Sequence, residues 1–400
     1  MRRMVWLGCF AYFMVGLATV VFGALLPELL QDYGKSYTSG GQLVFAQFAG
    51  FFLGVALTPR LIYWLGYPRM IWLGMLSLTI IHAVFFSEPM WGLVIAFAAL
   101  NGCGFGITQT ALGTYLLETT DQAAKTMSRL EVAFGIGALF MPIMTGMLIA
   151  KVDWIWAFAI VSVAAFVNLL FWTRSALTAS RHQPMKTVAT VDAAGDVSMD
   201  KTPVSPALLL LFVGFIFLYT GLETSLNNFL PSIFSQQFAL HSSDASLSVT
   251  LLWVAMVVGR FATGYIADRI RYDRFLLYSA IGAGLSLACM TMTGHPIAAF
   301  GLVMTTGLFL SGIFAVLIVY ANRVFAGNTK RITSTLIASG GVGGAVLPYA
   351  TGWSMDTMSA SGTVWLLVGC AFLMLTCMLR IRMTARRRNA VSVTIDTFAG

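Results

Sequence analysis

From Met4 onward the chain runs in long apolar blocks separated by short polar punctuation. A helix needs about 20 predominantly apolar residues to cross the hydrocarbon of a bilayer, and the pattern supplies twelve such blocks. Their limits fall near 4–30, 40–65, 68–88, 90–116, 128–150, 153–173, 206–230, 245–267, 274–294, 296–320, 331–353 and 361–379. The start, "MRRMVWLGCF", has the basic opening of a signal peptide, but its apolar run continues to about Leu30 without a small-residue cleavage site. It is expected to remain as the first span. The one long polar interval, 174–205, is too hydrophilic to bury and reads as a cytoplasmic linker. Ser205-Pro206 closes it with an N-cap followed by proline at the first helical position.

Composition agrees with the pattern: 58% of residues are hydrophobic and 10% charged, more apolar surface than one soluble core of 400 residues could hide. The predicted fold class is therefore an all-α membrane protein of twelve transmembrane helices. A net charge of +8 would suit nucleic acid, but the basic residues sit almost only between apolar blocks. With both termini inside, 22 of the 24 Lys and Arg residues fall on the cytoplasmic side, Arg60, Arg69, Arg260, Arg269, Arg274 and Arg323 among them. Lys35 and Lys151 remain outside. This bias sets the expected orientation of a multi-pass membrane protein. The five cysteines (Cys9, Cys103, Cys289, Cys370, Cys377) lie inside apolar blocks without metal-ligand spacing, so neither a disulfide framework nor a zinc site is expected.

The two halves repeat each other. "FGIGALFMPIMTG" (134–146) and "GGVGGAVLPYATG" (340–352) share Gly135/Gly341, Gly137/Gly343, Pro142/Pro348, Thr145/Thr351 and Gly146/Gly352, all at offset 206. At offset 205, Gly54 meets Gly259 and Arg69 meets Arg274. Six-helix halves related by duplication around a midplane site are the construction of secondary transporters. The expected organisation is an N-terminal bundle over 1–173, the linker 174–205, a C-terminal bundle over 206–385 and a cytoplasmic tail over 386–400. No phosphate-binding GxxxxGK[ST], serine-nucleophile elbow or metal cluster occurs, so neither an ATP-driven pump nor an enzyme is expected, and no cofactor.

Polar residues inside the blocks carry the candidate chemistry. Glu223, in "FLYTGLETSLNNFLP", is an acid in mid-membrane, where a charge costs roughly 2.5–3.5 kcal/mol. It is the candidate proton carrier. Asn227 shares its helix face at a spacing of four, while Asn228 shares another with Thr224. Gln47, Asn101 and Gln109 add amides that both donate and accept hydrogen bonds, and Trp253 adds a broad aromatic face. Gln42 lies about 140° from Gln47 around the helix and is assigned to solvent. His82 is read as structural. Glu131 is read as part of a capping box, Ser128-Arg129-Leu130-Glu131, opening the fifth helix. Gly102/Gly106 and Gly340/Gly344 have the small-xxx-small spacing of close helix packing.

The loop "GRFATGYIADRIRYDR" (259–274) resembles the signature of the major facilitator superfamily. That resemblance implies a gating latch in which Asp268 faces a helix N-terminus while Arg269 and Arg274 form charge pairs. The first-half copy, "PRLIYWLGYPR", lacks the glycine and the aspartate. "KTMSRLEVAFGIGAL", "VFAQFAGFFLGV", "FLYTGLETSLNNFLPSI" and "LLWVAMVVGR" are similar to the fucose/glucose/mannose:proton symporter branch. The resemblance implies proton-coupled sugar uptake, with Gln47, Glu223, Asn228 and Trp253 at matching positions. The branch places a glutamate in the fourth helix where "GITQTALG" has Gln109, which cannot carry a proton. The expected partners are a sugar-like solute, protons and the bilayer, with no nucleic acid, and the chain is expected to be a monomer. An efflux antiporter for apolar or cationic compounds is the alternative, since 30 Phe and 21 Met could line a greasy pocket. A non-transporting membrane sensor is the third reading.

Overall fold

The computed structural model describes residues 2–119, 123–178, 205–267, 269–325 and 327–398, and every regular element among them is helical. The long helices are α1 (Arg2–Ala24), α2 (Tyr37–Leu65), α3 (Tyr67–Val84), α4 (Trp91–Thr119), α5 (Ala123–Lys151) and α6 (Trp156–Thr178). The second half repeats them as α7 (Pro206–Phe238), α8 (Leu247–Ala267), α9 (Tyr272–Met292), α10, α11 (Thr329–Thr357) and α12 (Ala360–Phe398). Helix α10 comprises Pro296–Leu310 and, after a break at Ser311 and Gly312, Ile313–Val324. Each long helix stands on one of the twelve apolar blocks. Eleven are long and apolar enough to cross a membrane. The twelfth, α11, spans 29 residues, but its glycines, serines and threonines lower its apolar content.

The boundaries shift for identifiable reasons. The first block is broken, because α1 ends at Ala24 and Pro27 sits in the first turn of a short helix, Leu26–Asp32. A proline lacks the N–H that a continuous helix would need there. Pro206 opens α7 as expected. Helix α6 runs on to Thr178, and most of the predicted linker, 179–204, lies outside the described residues. Helix α12 continues through 386–398, so that much of the predicted tail is helical.

The contacts of the chain form two compact units. The first comprises Met1–Val191, Ser225–Trp253 and Pro348–Ala360. Within it α2 lies along α4, α1 along α5, and α3 against both α4 and α6. Glycines permit this closeness: a Cβ on Gly50 would run into the Ala99 carbonyl, and one on Gly102 into the Gln47 carbonyl. Phe85 stacks on Phe158 with ring centroids 4.0 Å apart, and Phe22 leans on both. The second unit comprises Asp192–Thr224, Val254–Leu347 and Ser361–Gly400, and in it α9 packs along α10. Gly343 of α11 rests on the Phe217 carbonyl of α7, as Gly137 of α5 rests on the Phe13 carbonyl of α1 in the first unit. The repeat seen at Gly137 and Gly343 is thus a repeated backbone contact. Leu53, Ile80, Val163, Leu285 and Phe372 are exposed on helix surfaces, an apolar coat that suits lipid.

Candidate functional site

The acid singled out by the sequence has a basic partner. In the second unit Glu223 of α7 faces Arg260 of α8, with Arg260 Nη2 3.7 Å from Glu223 Oε1. Tyr219, one turn earlier on α7 and almost fully buried, hydrogen-bonds the same carboxylate. The two charged side chains are 20% and 35% exposed, so the pair is neither sealed nor freely solvated. At 3.7 Å it is a Coulomb contact, longer than a tight charge-assisted hydrogen bond of about 2.7–2.9 Å. Arg260, counted from the sequence among the cytoplasmic charges, lies within Leu247–Ala267 and faces an acid. Arg260 and Tyr219 are the residues the sequence reading missed. The available signal for Arg260 was an arginine within "LLWVAMVVGRFATGY", weaker than that of Glu223 because it lies near the end of its block.

The amides gather in the first unit. Asn101 of α4 donates its Nδ2 to the Ala18 carbonyl of α1 at 3.0 Å. Gln47 of α2 donates its Nε2 to the same carbonyl at 3.4 Å and to Thr19 O at 3.2 Å. Both side chains are fully buried, and among the described residues the acceptor atoms Gln47 Oε1 and Asn101 Oδ1 have no hydrogen-bond partner. A second group lies around the C-terminal half of α7. Trp253 Nε1 donates to Asn227 Oδ1 at 2.7 Å, and the indole meets Phe134 edge-on at 5.9 Å. Asn228 packs against Gly23 of α1, where an added Cβ would lie 2.6 Å from Asn228 Oδ1. Gln109 stands apart: it is half-buried, about two turns beyond Asn101, and its backbone carbonyl accepts the Tyr12 hydroxyl at 3.0 Å. His82 is buried with Nδ1 2.8 Å from the Leu78 carbonyl, a structural placement.

The predicted latch is only partly in view. Asp268 lies outside the described residues, and Arg269 and Arg274 are exposed. The buried carboxylate of this region is Asp273, whose oxygens sit 3.0 Å from Arg271 Nε and 3.0 Å from Arg382 Nε of α12. Beside it the Arg323 guanidinium lies 4.6 Å over the Tyr272 ring. The capping-box reading of Glu131 is overturned. Helix α5 begins at Ala123, so Ser128 is already inside it and Glu131 is a half-buried interior residue. The upstream run "AAKTM" has strong helix formers and extends the helix past the supposed cap.

Twelve long helices built as two repeats, with an acid, its arginine and several amides inside apolar blocks, are the construction of a polytopic membrane transporter. The sequence profile of the Major Facilitator Superfamily matches residues 8–226 and again 210–395, and the chain belongs to that superfamily. It is 28% identical over 381 residues to the glucose/mannose transporter of Bacillus subtilis (strain 168), covering 93% of each chain. It is 25% identical over 363 residues to a glucose/galactose transporter of Brucella abortus biovar 1 (strain 9-941), covering 87% of this chain and 86% of the other. A crystal structure of a D-xylose-proton symporter shares the fold, with a TM-score of 0.72 and 12% identity. That likeness covers 94% of this chain and 96% of the other.

Proposed function

We propose that this protein is a proton-coupled symporter that imports a hexose-like sugar by alternating access, and that Glu223 carries the proton. The observation that carries the reading is the Glu223–Arg260 pair. A carboxylate held loosely by a guanidinium has two states of different geometry. When charged it draws α7 and α8 together through Arg260; when protonated it releases that attraction. A proton therefore has the differential interaction with two conformations that coupling requires. The sugar assignment rests on the names of the Bacillus and Brucella relatives and on the amides. Gln47 Oε1 and Asn101 Oδ1 are acceptors that sugar hydroxyls would satisfy, and Gln109, Asn227, Asn228 and Trp253 complete the proposed lining.

One titrating group is enough. An inward-moving proton gains roughly 2.3 kcal/mol per 100 mV, and a tenfold solute gradient costs about 1.4 kcal/mol. One proton per sugar thus supports roughly 50-fold accumulation at about 100 mV. Since Gln109 cannot titrate, the load falls on Glu223. The test is uptake of a labelled hexose panel into energised vesicles, with and without an uncoupler. Glu223→Gln, which mimics the protonated form, should exchange sugar down its gradient and lose uphill accumulation. Full accumulation by Glu223→Gln would remove the proton from this residue, and absence of flux for every hexose would remove the sugar.

A further inference from the structure

The face of the first unit that carries Lys35 holds a contact that the transport reading does not use. Asp356, at the polar end of α11 beyond the apolar block, accepts the backbone N–H of Tyr37 at 2.8 Å and of Thr38 at 2.7 Å. It also accepts the Thr38 hydroxyl at 2.5 Å. These donors are the first residues of α2, whose opening amides have no partner within their own helix. The carboxylate of one half therefore caps a helix of the other half and meets the positive end of its dipole. The surroundings are backbone against backbone. A Cβ on Gly352 would strike the Tyr37 carbonyl, and one on Gly41 would lie 2.8 Å from the Tyr349 Cα. The Tyr37 hydroxyl also reaches Gln236 of α7.

The repeat shows what is special about this contact. At offset 206 Gly352 corresponds to Gly146 and Tyr37 to Ser243, and Gly146 indeed packs on the Ser243 carbonyl, 2.9 Å from an added Cβ. The glycine-on-carbonyl seat therefore exists twice in this unit. The position matching Asp356, however, is Ala150. Only one of these two repeat-related seats has a carboxylate on the helix that bears the glycine.

We infer that Asp356 is the latch of the outer gate: it holds the start of α2 to the end of α11 and so sets how readily the transporter opens toward the Lys35 face. Burial alone would raise its carboxyl, but the hydrogen bonds from Thr38, Tyr37 and Ser36 outweigh that and hold it below the usual carboxylate range. The titratable group facing it is the Tyr37 phenol, uncharged at neutral pH. A carboxyl depressed in the closed state favours closure at every pH above the ordinary value of about 4 and loses that effect only as pH falls through that range. The latch is thus constant across physiological pH, unlike a proton carrier.

The reporter is Ser225→Cys, in a background with the five native cysteines replaced. Ser225 is fully buried and accepts the Thr351 hydroxyl at 3.0 Å, five residues inward of Asp356. An impermeant thiol reagent is added to intact cells and the rate of modification is measured. Asp356→Asn should raise that rate roughly five- to twentyfold, the scale of a few charge-assisted hydrogen bonds at an exposed site. Thr38→Val, which removes one donor and leaves both amides, should give a smaller rise, and Asp356→Glu should fall between parent and Asn. The increase should be the same at pH 6 and pH 8. Rates equal to the parent would overturn the latch. If Asp356→Asn does not reach the membrane, Thr38→Val and Asp356→Glu decide by the same criterion. The readout is accessibility and not uptake, so it can fail while sugar symport stands.

Discussion

Arg260 changes what Glu223 means. A lone acid in a helix must be neutral or solvated, whereas an acid facing a guanidinium is one half of a balance that substitution can tip either way. Arg260→Gln leaves Glu223 without that partner and should lower the thermal stability of the purified protein. Adding Glu223→Gln should recover part of the loss, with a coupling of about 1 kcal/mol between the two sites, since both side chains retain solvent contact. Thermal unfolding of the two single variants and the double variant in detergent measures it; additive losses would show that the pair is not energetically coupled. Glu223 was legible in the sequence because an acid stands out in the middle of an apolar block. Arg260 was not, because it lies near the end of its block and a count of boundary charges absorbs it without contradiction. The contacts of Gln47 and Asn101 were hidden for another reason. Residue type marks them as polar in an apolar block, but their shared acceptor is a backbone carbonyl, which no side-chain pattern records.

Among the helices, the glycines at crossings decide how near two backbones come. Gly137 meets the Phe13 carbonyl with no room for a side chain, while a Cβ on Gly369 of α12 would meet nothing within 4 Å. Gly137→Leu should therefore push α5 off α1 and cost about 1–3 kcal/mol, seen as a sharp fall in folded protein. Gly369→Ala, a change of better helix propensity in open space, should be neutral or stabilise by up to about 1 kcal/mol. Fluorescence-detected size exclusion of the two variants separates them. The spacing of Gly102 and Gly106 announced a close crossing, and α4 makes it with α2. The start of α5 was misread because Ser-x-x-Glu satisfies the capping pattern wherever it occurs. What places a helix start is where the upstream residues stop favouring helix, and Ala123 to Met127 favour it. The break after α1 was missed although Pro27 marks it, since the apolar run continues through Leu29 and Leu30.

For the whole molecule, the charge bias predicts a topology that can be checked directly. A cysteine at Lys35 should react with an impermeant reagent in intact cells, and one at Arg269 should react only after the membrane is opened. The reverse pattern would invert every inside and outside assignment. The fold class was readable from block length and the repeat from five matched residues at offset 206, because both follow from properties of single residues. The repeat-related seats also bear on how relatives of this chain will vary. Asp356 grips the amides of Tyr37 and Thr38, Gly352 rests on a carbonyl, and Gln47 and Asn101 both donate to one. Peptide groups are present whatever the side chain, so each of these contacts constrains one partner and leaves the other free to drift. Among homologues Asp356 should be held while position 37 varies. Methods that seek paired substitutions should find little signal across the junctions this protein needs most.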